Sequence, residues 1–282
     1  MTAKPSSSRV TLNSLREMKA NGQKFAMLTA YDYPTAAIAQ RAGVHVVLTG
    51  DTLGCVILGH ENTRNVPLDL IITLTEAVRR GAPDIVLMGD MPCGAIEADL
   101  DTFVTAARRF RDEAGCDTVK FEAGDDGDQR VGRLVKAGIS TVAHLGLRPQ
   151  QVTSPDGYRA QARDAHAVAE LAEQARRMAD AGADMILLEA VPNEASLAVV
   201  DAVSVPVIGC GAGAAVDGHV VVTHDMLGIG DVRPPRFVPV LAQVGKVIED
   251  AMRRYVQDIQ SGAYPGAQHV YGMKKASAGA AG

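Results

Sequence analysis

The sequence contains no tryptophan, and aromatic residues make up only 4% of it. Any core must therefore be filled by Val, Ile, Leu, Ala and Met. Cysteine is scarce too: Cys55, Cys93, Cys116 and Cys210 are scattered, and no two form a C-x-x-C pair. That spacing argues against a zinc site or a disulfide framework and makes a reducing compartment the expectation. Positive charge is not in excess, since 28 Lys and Arg face 33 Asp and Glu for a formal net charge of −5. A nucleic-acid partner would call for the opposite balance. No apolar run reaches the roughly 18 residues that a membrane span requires. The opening MTAKPSSSRV lacks the apolar centre of a signal peptide. A cytoplasmic protein, with neither membrane nor nucleic acid as partner, is expected. No linker or low-complexity insert divides residues 1–282, so a single domain is expected, with flexible termini at 1–10 and 274–282.

What the sequence does contain is a repeated unit: a short β-branched run, a turn with Gly or Asp, then a helical pattern. The runs are Phe25–Thr29, Val44–Thr49, Asp84–Met88, Thr118–Phe121, Ile139–Ala143, Met185–Leu188, Val205–Ile208 and Val220–Thr223. They are continuously apolar rather than alternating, as strands buried on both faces are. Between them, Val168, Leu171, Ala172, Ala175, Met178 and Ala179 form one helical stripe stopped by Gly182. A leading helix over Thr11 to Asn21, stopped by Gly22, is placed to cap a barrel floor. A last helix is read with Phe237, Val240, Leu241, Val244, Val247, Ile248, Met252 and Tyr255 on one face, an apolar seam for the barrel or another subunit. Eight such units predict an α/β fold, a closed (β/α)8 TIM barrel with an N-terminal capping helix. The alternative is an open doubly wound sheet, but no G-x-G-x-x-G follows the first strand.

In such a barrel, chemistry belongs to the C-terminal ends of the strands. There the runs end in Tyr31 and Asp32, in Asp51, in Asp90, in Lys120 and Glu122, in His144, in Glu189, in Gly209–Gly213, and in His224 and Asp225. A single acid after a strand is as well explained by helix capping. Carboxylates from several strands converging on one rim are a different matter, because burying like charges together is costly unless a cation neutralises them. Hard oxygen ligands without Cys suit Mg2+. Asp51 and Asp90 are the expected direct ligands, with Glu122 in the shell or reaching through water. The alternative is a buried salt-bridge network with Lys120. The glycine run Gly209–Gly213 is read as a tight turn rather than an anion cradle, Cys210 as a small filler, and His224 and Asp225 as capping residues.

At these positions the sequence resembles the ketopantoate hydroxymethyltransferase family, from about Leu15 to His269. The matching motifs include TAYDYPTA at 29–36, GDTLG at 50–54, GDMP at 89–92, VKFE at 119–122, HLGL at 144–147, LEAVP at 188–192, IGCGAG at 208–213 and SGAYPG at 261–266. The resemblance implies a Mg2+-dependent barrel enzyme of the pantothenate pathway. It would transfer a one-carbon unit from 5,10-methylenetetrahydrofolate to 3-methyl-2-oxobutanoate, giving 2-dehydropantoate. It also implies metal ligands at Asp51 and Asp90 with Glu122 completing the surroundings, substrate contacts at Asp51, Thr52, Asp90, Lys120 and His144, and a proton acceptor at Glu189. Large homo-oligomers, often decamers, are implied as well.

The chemistry needs both a cation that stabilises an enolate and a positioned base, worth roughly 10²–10⁴ in rate. The apolar approach Met185–Leu188 is expected to raise the pKa of Glu189 toward that task. As an alternative, Glu189 caps the helix that begins near Asn193, although Asn193 is itself a good cap. His144 is read either as a substrate contact or as a hydrogen-bonded wall residue. Three departures from the family pattern stand out: Thr52 for the usual Ser, PDGYRAQAR at 155–163 with two fewer glycines, and no histidine in the helix 68–80. The alternatives are a paralogue acting on another 2-oxo acid, a lyase or mutase of the phosphoenolpyruvate mutase and isocitrate lyase type, and a catalytically idle assembly partner.

Overall fold

A computed structural model describes residues 9–152, 154, 157–230 and 233–273. The expected flexible terminus 274–282, and residues 1–8 of the other, lie outside these. Arg9 and Val10, expected to fray, are instead held: the Val10 N–H donates to the Asp84 carbonyl at 2.8 Å. The described residues fall into two compact units. One runs through Thr223 and takes in Pro235–Val238; the other comprises His224–Pro234 and the chain from Pro239 onward.

The first unit contains a closed barrel of eight parallel strands in sequence order. Helix α1 (Leu12–Ala20) precedes β1 (Phe25–Thr29), α2 (Tyr33–Arg41) and β2 (Val46–Thr49). Two helices, α3 (Leu53–Val56) and α4 (Leu68–Gly81), lead to β3 (Val86–Asp90), and α5 (Cys93–Ile96) and α6 (Leu100–Asp112) lead to β4 (Thr118–Glu122). There follow α7 (Gly127–Lys136), β5 (Thr141–Gly146), α8 (Ala165–Asp180), β6 (Met185–Glu189), α9 (Asn193–Ala202), β7 (Val207–Cys210) and β8 (Gly218–Val221). The ring closes where Phe25 of β1 pairs with Gly218 of β8. After β8 come α10 (Thr223–Leu227) and α11 (Val244–Gln260).

The alternation of strand side chains separates two cores. Phe25, Met27, Val46, Val86, Met88, Val142, Met185, Leu187, Ile208 and Val220 fill the barrel interior, with Leu15 of α1 joining them from below. Val47, Leu87, Val119, Phe121, Ala143, Ile186 and Leu188 point outward to the helices. This two-sided burial is why the runs are continuously apolar, and Leu15 is how the leading helix caps the floor.

Several strand bounds differ from their apolar runs by one or two residues. β3 and β6 end on Asp90 and Glu189, and β4 ends on Glu122, because the inward face turns polar near the top without breaking the ladder. β7 spans 207–210 rather than 205–208, two residues later, whereas β8 spans 218–221 rather than 220–223, two residues earlier. The last helix begins at Val244, so Phe237, Val240 and Leu241 are not part of its seam, and none of its residues is buried.

The floor carries a pattern that sequence reading did not anticipate. The residue before each even-numbered strand accepts a hydrogen bond from a main-chain N–H of the odd strand preceding it. Ala26 N–H donates to His45 Nδ1 at 3.2 Å, and Leu87 N–H to Asp117 Oδ2 at 2.8 Å. Thr141 N–H donates to Asp184 Oδ2 at 3.3 Å, and Val207 N–H to Asp217 Oδ2 at 2.8 Å. The three aspartates also anchor the N-terminal segment, pairing with Arg9, Arg16 and Lys19 respectively.

Candidate active site

Four inward columns change from apolar or neutral at the floor to charged or basic at the top. They are Val86–Met88–Asp90, Thr118–Lys120–Glu122, Val142–His144 and Met185–Leu187–Glu189. Register places Asp90 beside Lys120, and Glu122 beside His144. Asp51, on the turn after β2, completes the set. The strand ladder itself thus forces these groups together.

Lys120 Nζ lies 2.7 Å from Asp90 Oδ1, and the Asp51 N–H donates to Asp90 Oδ2 at 3.1 Å. On its other side Lys120 Nζ is 3.5 Å from His144 Nδ1. An ammonium can only donate, so Nδ1 accepts and the ring proton sits on Nε2. That nitrogen is 3.3 Å from Glu189 Oε2. Asp90, Lys120, His144 and Glu189 therefore form one chain of contacts across the barrel mouth. Glu189 is its most open member, with 19% of its side chain exposed against 1% for Asp90.

Burial governs the proton affinities here. It pushes the Glu189 carboxyl up to about 8, with Lys120 pulling down and Asp51 adding to the rise. Glu122 is likewise pushed up to about 8, by burial first and by Asp51 next, against Lys120. Burial and the Lys120 charge hold His144 well below the usual histidine range, so it is neutral. Burial also works against the Lys120 ammonium, but Asp90, Asp51 and Glu122 together outweigh it and raise its pKa. For Asp90, burial and Asp51 push upward against Lys120.

Thr52 meets Tyr31: their hydroxyls are 2.6 Å apart. Asp32 takes no part in the site and caps α2, accepting from Thr35 N–H at 2.7 Å. Asn193 does not cap α9, whose N-cap is Pro192. Its Oδ1 instead accepts from Ala214 and Ala215 N–H at 2.7 and 3.0 Å, tying down the glycine run as a turn. Gly211 and Gly213 have φ of 67° and 74°, as that turn requires. Just after Glu189, Ala190 adopts φ 50°, and its carbonyl receives the Gln161 N–H at 2.8 Å. A residue without positive-φ freedom held there stores strain beside the functional carboxylate.

Gln150 is the buried member that sequence reading missed. Its Nε2 donates to Asp51 Oδ2 at 2.8 Å and to the Met91 carbonyl at 3.0 Å, while its own N–H donates to Glu122 Oε1 at 3.0 Å. The second Glu122 oxygen, Oε2, is buried without a hydrogen-bond partner among the described residues. An orphaned carboxylate oxygen beside two further carboxylates is a fitting environment for a hard cation. Among the described residues no three His, Cys, Asp or Glu side chains gather tightly enough to hold an ion unaided. Mg2+ does not require that, since it takes one or two carboxylates and keeps waters.

The family model described as ketopantoate hydroxymethyltransferase matches residues 9–267. The chain belongs to the ketopantoate hydroxymethyltransferase family. The 3-methyl-2-oxobutanoate hydroxymethyltransferase of Geobacillus kaustophilus is 42% identical over 258 residues, covering 92% of each chain. That of Halalkalibacterium halodurans is 40% identical over 265 residues, 94% of this chain and 95% of its own. The chain is accordingly an enzyme that transfers a hydroxymethyl group. Among solved structures, a phosphonopyruvate hydrolase superposes with TM-score 0.62 at 12% identity, covering 94% of this chain and 92% of its own. A 2,3-dimethylmalate lyase does so with TM-score 0.59 at 17% identity, covering 90% and 88%. These likenesses concern the barrel fold alone. No described helix is long and apolar enough to cross a membrane.

Proposed function

We propose that this enzyme makes 2-dehydropantoate from 3-methyl-2-oxobutanoate, 5,10-methylenetetrahydrofolate and water, releasing tetrahydrofolate, as a step of pantothenate synthesis. The observation that carries the reading is the line of contacts ending at Glu189, an acid with a pKa near 8 and the most exposed member of an otherwise buried cluster of ionisable side chains. Asp51 and Asp90 would hold Mg2+ with Glu122 nearby, and the cation, when bound, would supply Lewis acidity to the ketone of the oxo acid.

Glu189, once deprotonated, takes the proton from carbon 3. Its pKa lies close enough to neutrality for it both to accept and to return a proton, which a carboxylate near 4 does poorly. The neighbouring His144 is neutral, so Glu189 faces no competing positive charge at hydrogen-bond distance. Lys120, kept protonated by three carboxylates, supplies fixed positive charge to the developing enolate oxygen or the substrate carboxylate. The Thr52 hydroxyl, held by Tyr31, is offered to the substrate. The enolate carbon then bonds to the folate's methylene carbon as both C–N bonds of that carbon break in turn; water supplies the hydroxyl, and tetrahydrofolate leaves carrying one proton from water and the one that Glu189 returns.

The exposed seam of α11 supports self-association into a homo-oligomer, and cysteines held outside any disulfide suit a reducing cytoplasm. The test of the reaction is product formation followed by NMR, with Mg2+ and each co-substrate omitted in turn. The expected result is 2-dehydropantoate only in the full mixture. Turnover of another 2-oxo acid in preference would favour the paralogue reading, for which Thr52 is the residue to examine.

A further inference from the structure

Gln150 sits in a short 3-10 turn, Pro149–Gln151, that follows β5. It is 3% exposed, and its N–H and its amide nitrogen together make three hydrogen bonds. Two of those partners are carboxylates from different strands, Asp51 after β2 and Glu122 at the end of β4. Its own carbonyl is held in turn by Arg64 Nη1, and the same guanidinium pairs with Glu97 at 2.7 Å. Arg64 is itself located by its N–H, which donates to Asn62 Oδ1 at 3.0 Å. The two acids do not touch each other through any hydrogen bond; the glutamine is what joins them.

We propose that Gln150 is a positioning residue for the acidic pocket, clamping Asp51 by its side chain and Glu122 by its main chain, with Arg64 as the brace that fixes the clamp. A carboxylate with one oxygen pinned has its plane set, so its other oxygen is aimed. Pinning Asp51 Oδ2 and Glu122 Oε1 leaves the other oxygen of each outside the clamp, and Glu122 Oε2 is buried with no hydrogen-bond partner among the described residues. The amide suits this work because its NH2 gives two hydrogen bonds without adding charge, one to Asp51 and one to the Met91 carbonyl. A lysine there would compete with the cation, and an acid would repel Asp51. The arrangement is the one expected of groups that orient metal ligands, whose loss costs 10–100-fold in affinity.

The inference rests on the reading that Asp51 and Asp90 hold a divalent cation, and the experiment separates the two. Mn2+ is titrated, with free ion read by electron paramagnetic resonance, into the intact protein and into D51N, Q150M and R64Q. Q150M keeps the side-chain volume and the main-chain N–H but loses both amide donors. The expected result is Mn2+ binding by the parent, its loss in D51N, and affinity about 10–100-fold weaker in Q150M with an unchanged circular-dichroism spectrum. R64Q, at the partly exposed end of the brace, is expected to weaken binding several-fold and answers the question should Q150M fail to fold. A merely structural role would lower the melting temperature and leave affinity alone. Mn2+ affinity in Q150M or in folded R64Q within twofold of the parent overturns the assignment of Gln150. Failure of the parent to bind Mn2+, or full binding by D51N, overturns the cation reading instead.

Discussion

At the scale of single residues, the acids of the mouth differ because their surroundings differ. Asp90 is pinned between Lys120 and the Asp51 main chain, while Glu189 lies beside neutral His144. The same Lys120 charge reaches Glu189 at longer range and pulls its pKa down. Two outcomes follow for the transfer reaction. The rate is expected to rise with pH, about tenfold per unit below the Glu189 pKa, and to level off at or below about 8, because the base works only after losing its proton. In K120M the limb is expected to move to higher pH, since a cation that favoured the carboxylate is gone, and the plateau to fall by roughly 10²–10³. Pre-steady-state rates across pH 5–9.5 check both. An unmoved limb in K120M removes Lys120 from the electrostatics of the base.

Single residues also mark where sequence reading succeeds and where it stops. Asp51, Asp90, Lys120, Glu122, His144 and Glu189 were legible because each ends or follows an apolar run, and barrel topology alone gathers strand ends. Gln150 was not legible. It lies in HLGLRPQQ, whose two adjacent glutamines look alike in sequence, and only the fold shows which one turns inward. Asp32 and Asn193 give the reverse lesson: both have good capping chemistry, yet Asp32 caps α2 whereas Asn193 holds the turn after β7.

At the scale of elements, the floor is what the sequence concealed most completely. Asp117, Asp184 and Asp217 are ordinary turn residues in one dimension. In three they seal the free N–H groups at the start of β3, β5 and β7 and fasten the N-terminal arm. Strand ends were misjudged for a related reason: apolar runs report where both faces are dry, and the inward face becomes polar before the ladder ends. The Lys19–Asp217 pair, 2.8 Å long with side chains 16% and 12% exposed, is the most enclosed of the three fastenings. D217A leaves the Val207 N–H and Lys19 without their acceptor and is expected to cost about 1–3 kcal/mol in urea unfolding. E249A, which breaks an exposed pair with Arg253, is expected to cost about 0–1 kcal/mol. Equal costs would show that the floor contacts are not structural fastenings.

At the scale of the molecule, one unit holds the barrel and its chemistry, and the other presents α11 with Val247, Ile248, Met252, Tyr255, Val256 and Ile259 exposed on it. A seam of that size on a helix that buries no residue is expected to be covered by another copy of the chain. The double variant V247E/M252E is expected to lower the mass seen by light scattering after gel filtration while preserving the circular-dichroism spectrum. A variant with the parent's mass would place the interface elsewhere.

The account depends above all on Glu189 taking a proton from carbon 3 of the oxo acid. The most direct measurement is deuterium incorporation at that carbon, followed by NMR in D2O with Mg2+ and without folate, in the parent and in E189Q. The parent is expected to exchange the position, and E189Q to be slower by about 10²–10⁴ while binding Mn2+ as the parent does. Exchange at the parent's rate in E189Q would contradict the account.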